Sequence, residues 1–131
     1  MSWVMRWLGL PYAKDGRGPD AFDCLGLVLA VHASRGLILP DPLKADPDHR
    51  AAAARNPYRR VDADDAQEGD ALLFRGLGTG AMHIGFALDA RDMLHIGGDG
   101  FTVHPPSRVE TWRTPAWMRR LEGAYRVCPS T

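Results

Sequence analysis

Phe22-Asp23-Cys24-Leu25-Gly26-Leu27-Val28 is the stretch on which the reading of the whole chain turns. Asp23, a good N-cap residue, precedes one of only two cysteines and an apolar run that lasts to Ala33. Residues 24–35 are therefore predicted to form a helix, with Gly36 as its C-cap. Almost no polar residue interrupts it before Ser34-Arg35, the pattern of a buried helix. Upstream, Trp3, Val4, Trp7 and Leu8 share one face of a short helix over 2–8 that Gly9 and Pro11 end. Tyr12 to Asp20 is rich in Gly, Asp and Pro and reads as loop.

Downstream, Pro40, Pro42, Pro47 and Pro57 punctuate a charged stretch. It reads as a surface excursion over 40–62, either a cleft wall or a plain connection. Asp46 and Pro47 mark the start of a short helix over 46–55. From Gly69 the pattern changes to strands: Ala71 to Phe74, Met82 to Leu88, Met93 to Gly97, Phe101 to His104 and Glu122 to Val127. Residues 107–119 fit neither period. A helix-rich half followed by an antiparallel half gives an α+β fold class, read as one domain over 1–131.

The 131 residues are enough to bury roughly two thirds of the unfolded surface. Lys+Arg and Asp+Glu are 16 each, and a formal net charge of zero argues against a nucleic-acid partner. Two cysteines far apart, Cys24 and Cys128, make no disulfide framework and suit free thiols in a reducing compartment. No apolar run reaches the ~20 residues of a membrane span, and the start carries no cleavage pattern. A protein made in the cytoplasm is expected, without a membrane partner.

The thiol suggests chemistry. A cysteine acts as thiolate, and a helix N-terminus or a neighbouring imidazolium lowers its pKa from about 8.5. Cys24 has the first device by position, and the same free N–H groups can hold an oxyanion. The plain alternative is a small buried hydrophobe. Strand alternation puts His83, Gly85 and Ala87 on one face, and Met93, His95 and Gly97 on one face of the next strand. A three-residue loop, Asp89 to Arg91, would pair Leu88 with Asp92, Gly85 with His95 and His83 with Gly97. Both histidines then share a face as diagonal neighbours about 7–8 Å apart. The small residues around them leave room for the Cys24 helix to approach that face. A cysteine, a histidine and a residue orienting the ring are the parts of an activated nucleophile. His32, His49 and His104 are left out of this set.

At these residues the chain resembles the NlpC-type cysteine peptidases, papain-like cell-wall hydrolases. The match runs from Gly9-Leu10-Pro11-Tyr12 through Asp23-Cys24-x-Gly26-Leu27-Val28 and Gly69-Asp70-Ala71-Leu72-Leu73-Phe74 to His83-Ile84-Gly85-Phe86-Ala87 and Leu94-His95-Ile96. The resemblance implies a papain-like fold with the Cys-bearing helix packed on an antiparallel sheet. It implies Cys24 as nucleophile, His83 as general base and acid, and His95 as the residue orienting His83. Tyr12 would sit beside the thiol, and Asp23 would help hold a substrate amine. The implied substrate is a peptidoglycan stem peptide cut between D-glutamate and the next diamino acid, with no cofactor and no metal. Leu25 would be a third substrate-binding residue, but it stands where many members carry a small hydroxyl residue that helps bind the amine. That departure is similar to the phage-tail branch, whose members travel with tail-tip assemblies or gene-transfer particles that act at the cell wall. Two readings compete: a non-catalytic structural component of a tail tip, and a zinc site of Cys24, His83 and His95.

Overall fold

The computed structural model describes residues 2–39, 58–76, 82–98 and 104–127. The predicted helix over 46–55, the strand residues 101–103, and His49 and Cys128 lie outside them. A 3-10 turn, Ser2–Trp7, leads through a loop to helix α1, Cys24–Ser34. Strand β1, Tyr58–Val61, and a 3-10 turn, Ala63–Asp65, precede β2, Ala71–Phe74. Strands β3, His83–Ala87, β4, Asp92–His95, and β5, Arg108–Thr111, follow. A short helix α2, Pro115–Arg120, runs directly into β6, Leu121–Val127. The strands form one sheet in the order β1-β6-β2-β3-β4-β5, antiparallel throughout. This is the α+β arrangement that the sequence predicts. No helix of the described residues is long and apolar enough to cross a membrane.

The β3–β4 hairpin has the predicted register: Phe86 pairs with Leu94 and Ala87 with Met93. The Leu88 amide donates to the Asp92 carbonyl at 2.9 Å, which leaves Asp89 to Arg91 as the loop. Asp89 holds that loop itself, its Oδ1 accepting from the amides of Arg91 at 2.8 Å and Asp92 at 2.7 Å. Side chains on either face of the hairpin are thereby assigned, because a one-residue slip would exchange them.

The packing of α1 corrects one expectation. The helix does not lie on the histidine face. Leu27, Val28 and Val31 pack with Phe86, Leu88, Leu94 and Ile96, the large apolar residues of the opposite face. Burying large side chains against large side chains removes more apolar area than a glycine-lined face offers. The histidine face is covered instead by Trp112 and Trp117, packed with Phe74, Ala87 and Met93. Gly85 leaves room there for Met93, whose Sδ lies 2.8 Å from where a Cβ would stand.

Two polar anchors hold the ends of this core. Asp70, 1% exposed, caps the entrance to β2 and accepts two hydrogen bonds of 2.9 Å from Arg126 on β6. Buried Ser107 accepts from the Leu10 amide at 2.8 Å, and its own amide donates to the Leu10 carbonyl at 3.0 Å. The segment that carries Tyr12 is thus tied to the residue before β5.

Candidate active site

Cys24 is the first residue of α1. Asp23 is the N-cap, and its Oδ1 accepts from the Gly26 amide at 2.6 Å and from Arg17 at 2.7 Å. The Asp23 amide donates to the Gly16 carbonyl at 3.1 Å. That carbonyl lies 1.9 Å from where a Cβ on Gly26 would stand, so only glycine lets the loop close on the first turn. The loop at 13–22 is in this way clamped to the helix start.

The half-buried Cys24 side chain faces the backbone of Ile84, the residue after His83. Burial pushes its thiol pKa up. The Ile84 amide opposes this, the Asp23 carboxylate reinforces it, and the amides of Leu25 and Cys24 oppose it. The helix N-terminus acts in the predicted direction, but removal from water outweighs it, so the resting group is the thiol. Alkylation by iodoacetamide is expected to be slower than that of a free model thiol at neutral pH and to rise through alkaline pH. Rapid labelling that is flat across that range would mean a preformed thiolate instead.

His83 and His95 share a face, as the register requires, and they meet directly. His83 Nε2 and His95 Nδ1 are 2.9 Å apart, with ring centroids at 5.2 Å and planes at 67°. The far nitrogen of His95, Nε2, donates to Glu110 Oε1 at 2.9 Å. Glu110 Oε2 accepts from the Trp117 indole at 2.9 Å. Burial lowers the pKa of both histidines. The coupling of His83 to His95 and the cations Arg120 and Arg108 lower His83 further, and the same two cations lower His95. Both rings are neutral at rest. Among the described residues no hydrogen bond joins Cys24 to His83: the thiol faces the backbone of Ile84, the residue after His83 on β3. Free sites are often loose in this respect and tighten with substrate.

These depressed values have a consequence for stability. His32, buried and tilted against Phe86 at 4.9 Å, is lowered by burial too. Each of the three rings takes up its proton at lower pH folded than unfolded. Below about pH 6.5 the unfolded chain therefore binds more protons, and stability falls as pH drops toward the folded values. Thermal melts from about pH 8 to about pH 5 are expected to show a falling midpoint. A flat midpoint would mean that these rings are not held neutral.

The remaining predicted residues are Tyr12, Asp23 and Leu25. Tyr12 stacks on His104, with centroids 4.0 Å apart and planes at 23°. Burial raises the Tyr12 pKa, and Cys24, Asp23 and Asp15 raise it further. Gly97 backs the stack, a Cβ there falling 3.2 Å from the Tyr12 ring. Gly98, at φ +88°, lies under His83, and a Cβ there would fall 2.5 Å from ring atoms Cε1 and Nε2. Leu25 is half-buried. Asp23 is buried, and among the described residues its side-chain contacts with Gly26 and Arg17 both fall on Oδ1. Among the described residues no group of three or more His, Cys, Asp or Glu side chains could hold a metal ion, so the zinc reading lacks its ligand set.

The predicted site does not include His104, Gly98, Trp117 or Glu110. Glu110 has a signal: β5 pairs with β4 so that Glu110 lies opposite Met93, on the face that carries His95. Reading 107–111 as a strand would bring a carboxylate to the histidines.

The NlpC/P60 family profile matches residues 9–126, and the chain belongs to that family. It is 29% identical over 129 residues to the gamma-D-glutamyl-L-lysine dipeptidyl-peptidase of Bacillus cereus, covering 94% of this chain and 34% of that protein. It is 31% identical over 124 residues to the probable endopeptidase p60 of Listeria seeligeri, covering 95% of this chain and 21% of that protein. Among solved structures, an NLP/P60-family protein similar to lipoprotein from Staphylococcus aureus aligns with a TM-score of 0.70 at 26% identity, covering 99% of this chain and 40% of the other. The NlpC/p60 domain of peptidoglycan hydrolase SagA shares the fold, with a TM-score of 0.61 at 19% identity over 95% of this chain and 93% of the other. The chain thus spans about a fifth to a third of the length of these curated relatives.

Proposed function

We propose that this chain is a cysteine endopeptidase that hydrolyses peptidoglycan stem peptides at the bond between D-glutamate and the following diamino acid. The observation that carries this is the hydrogen-bonded line from Glu110 through His95 to His83, beside a thiol at a helix N-terminus. In the proposed reaction, Cys24 Sγ attacks the carbonyl carbon of the glutamyl amide while His83 Nδ1 takes the thiol proton. The developing oxyanion is held by backbone amides at the start of α1, which lie outside the helix's own bonds. His83 returns the proton to the leaving amine, and a thioester forms on Cys24. Water, deprotonated by His83, then attacks the thioester and releases the glutamyl product and the free thiol. Neutral partners at rest make the first proton transfer part of the attack rather than a step that precedes it. In this reading Tyr12 stands beside the reacting thiol and the Asp23 carboxylate helps hold the substrate amine.

The supporting likeness is to a protein named gamma-D-glutamyl-L-lysine dipeptidyl-peptidase and, in fold, to the NlpC/p60 domain of a peptidoglycan hydrolase. Leu25 extends the proposal to a phage tail or gene-transfer particle, whose tail-tip proteins would be partners and whose particle would carry the enzyme to the wall. A purely structural tail-tip role gives no reason for burying two imidazoles in hydrogen-bond contact, which costs stability. Digestion of purified muropeptides tests the catalytic proposal: products cut after D-glutamate are expected, and their absence would sink it. Fractionation of induced particles tests the second: the chain is expected with tail-tip proteins, and recovery only in the free fraction contradicts it.

A further inference from the structure

Glu110 sits at the end of the buried line, and both of its carboxylate oxygens are engaged. Oε1 accepts from His95 Nε2 and Oε2 from Trp117 Nε1, each at 2.9 Å. Arg108 Nε, on the same strand, stands 3.4 Å from Oε1. Trp117 is also the wall of the histidine pair, its ring 5.2 Å from His95 and 5.7 Å from His83. Arg120 lies over Trp117 at 4.6 Å and donates to the Gly98 carbonyl at 2.9 Å. The charged groups facing the pair are therefore Glu110 and Arg108 from β5 and Arg120 from α2.

A neutral imidazole has one N–H and one acceptor nitrogen, and a carboxylate can only accept. Contact with Glu110 puts the His95 hydrogen on Nε2. His95 Nδ1 must then accept, so the nitrogen that meets it, His83 Nε2, must carry the hydrogen. His83 Nδ1 is left as a bare lone pair, the form a general base needs. We infer that Glu110 is a positioning residue that sets the tautomers of both His95 and His83 and so aims the basic nitrogen of His83 outward. This rests on the proposed catalytic role of His83, and it adds a fourth member to the line.

Glu110→Gln is the telling substitution. Glutamine has one acceptor oxygen for two donors. If that oxygen serves Trp117, its amide nitrogen faces His95 Nε2 and favours the opposite tautomer along the whole line, with the His83 hydrogen on Nδ1. Long-range proton–nitrogen NMR of the ring nitrogens reads this directly, in the full chain and in a Cys24→Ala background. Wild type is expected to carry hydrogen on Nε2 of both rings, and Glu110→Gln to lose that pattern. On muropeptide substrate, Glu110→Gln is expected to lower kcat by about 10- to 100-fold and change KM by less than about twofold, with Glu110→Asp recovering part of the loss. A wild-type spectrum with hydrogen on Nδ1 of His95 overturns the inference without any variant. So does a Glu110→Gln protein with unchanged kcat and an unchanged spectrum. If the tautomers behave as stated and no hydrolysis is seen in wild type, the tautomer assignment stands and the catalytic proposal fails.

Discussion

Cys24→Ala is expected to lower muropeptide hydrolysis by about four orders of magnitude or more while the fold survives. Among the described residues nothing in the site can replace the sulfur: the groups that act on it are the amides of Ile84, Leu25 and Cys24 and the Asp23 carboxylate. Loss of the nucleophile leaves only what binding and the helix-start amides provide. Stability should change little, because the substitution removes one half-buried atom and no hydrogen bond between side chains. His83→Ala should approach the same loss, since the base and the nucleophile act as one unit. Residual activity within about tenfold of wild type in Cys24→Ala would show that the thiol is not the nucleophile.

Gly98→Ala is expected to have the second-largest effect. Its backbone at φ +88° is strained for any residue with a Cβ, at a cost of about 1–2 kcal/mol. The added carbon would also fall 2.5 Å from the His83 ring, too close to be accommodated without moving it. The ring cannot shift and keep its 2.9 Å contact with His95. Displacing a reacting group by about 1 Å costs about 100-fold in rate, and that fall in kcat is expected here. Gly36→Ala is the control. Gly36 has φ +90° with nothing within 4 Å of where its added carbon would stand, so it should lose similar stability and no activity. Equal activity losses in the two variants would assign the effect to strain alone.

How much of this can be read from the sequence differs element by element. The start of α1 is legible because Asp23 and the apolar run are local signals, and the cap forms as such signals dictate. The β3–β4 register is legible because a period of two combined with a short Asp-initiated loop leaves one pairing that keeps both apolar faces intact. The side on which α1 packs is not legible from the histidine face, where small residues suggest an approach. It depends on how the large residues of both elements are distributed, and Phe86 and Leu94 draw the helix to the other face. Strand β1 is hidden because its residues are polar and exposed, so it carries no alternation, and its pairing with β6 is a long-range contact. Glu110 is hidden for a related reason: β5 is a partly exposed strand in a stretch of mixed pattern, and its partner His95 is 15 residues away in sequence. Cys24 stands at the helix start as predicted, but the sequence overstates its acidity, because burial is a tertiary property that position on a helix does not reveal.

The most direct test of the central claim is mass spectrometry of muropeptides incubated with the purified chain, run beside Cys24→Ala. Cleavage between D-glutamate and the diamino acid by wild type, with a covalent glutamyl adduct trapped on Cys24 and no cleavage by the variant, is the expected result. Intact muropeptides with wild type, or equal cleavage by both proteins, would contradict it.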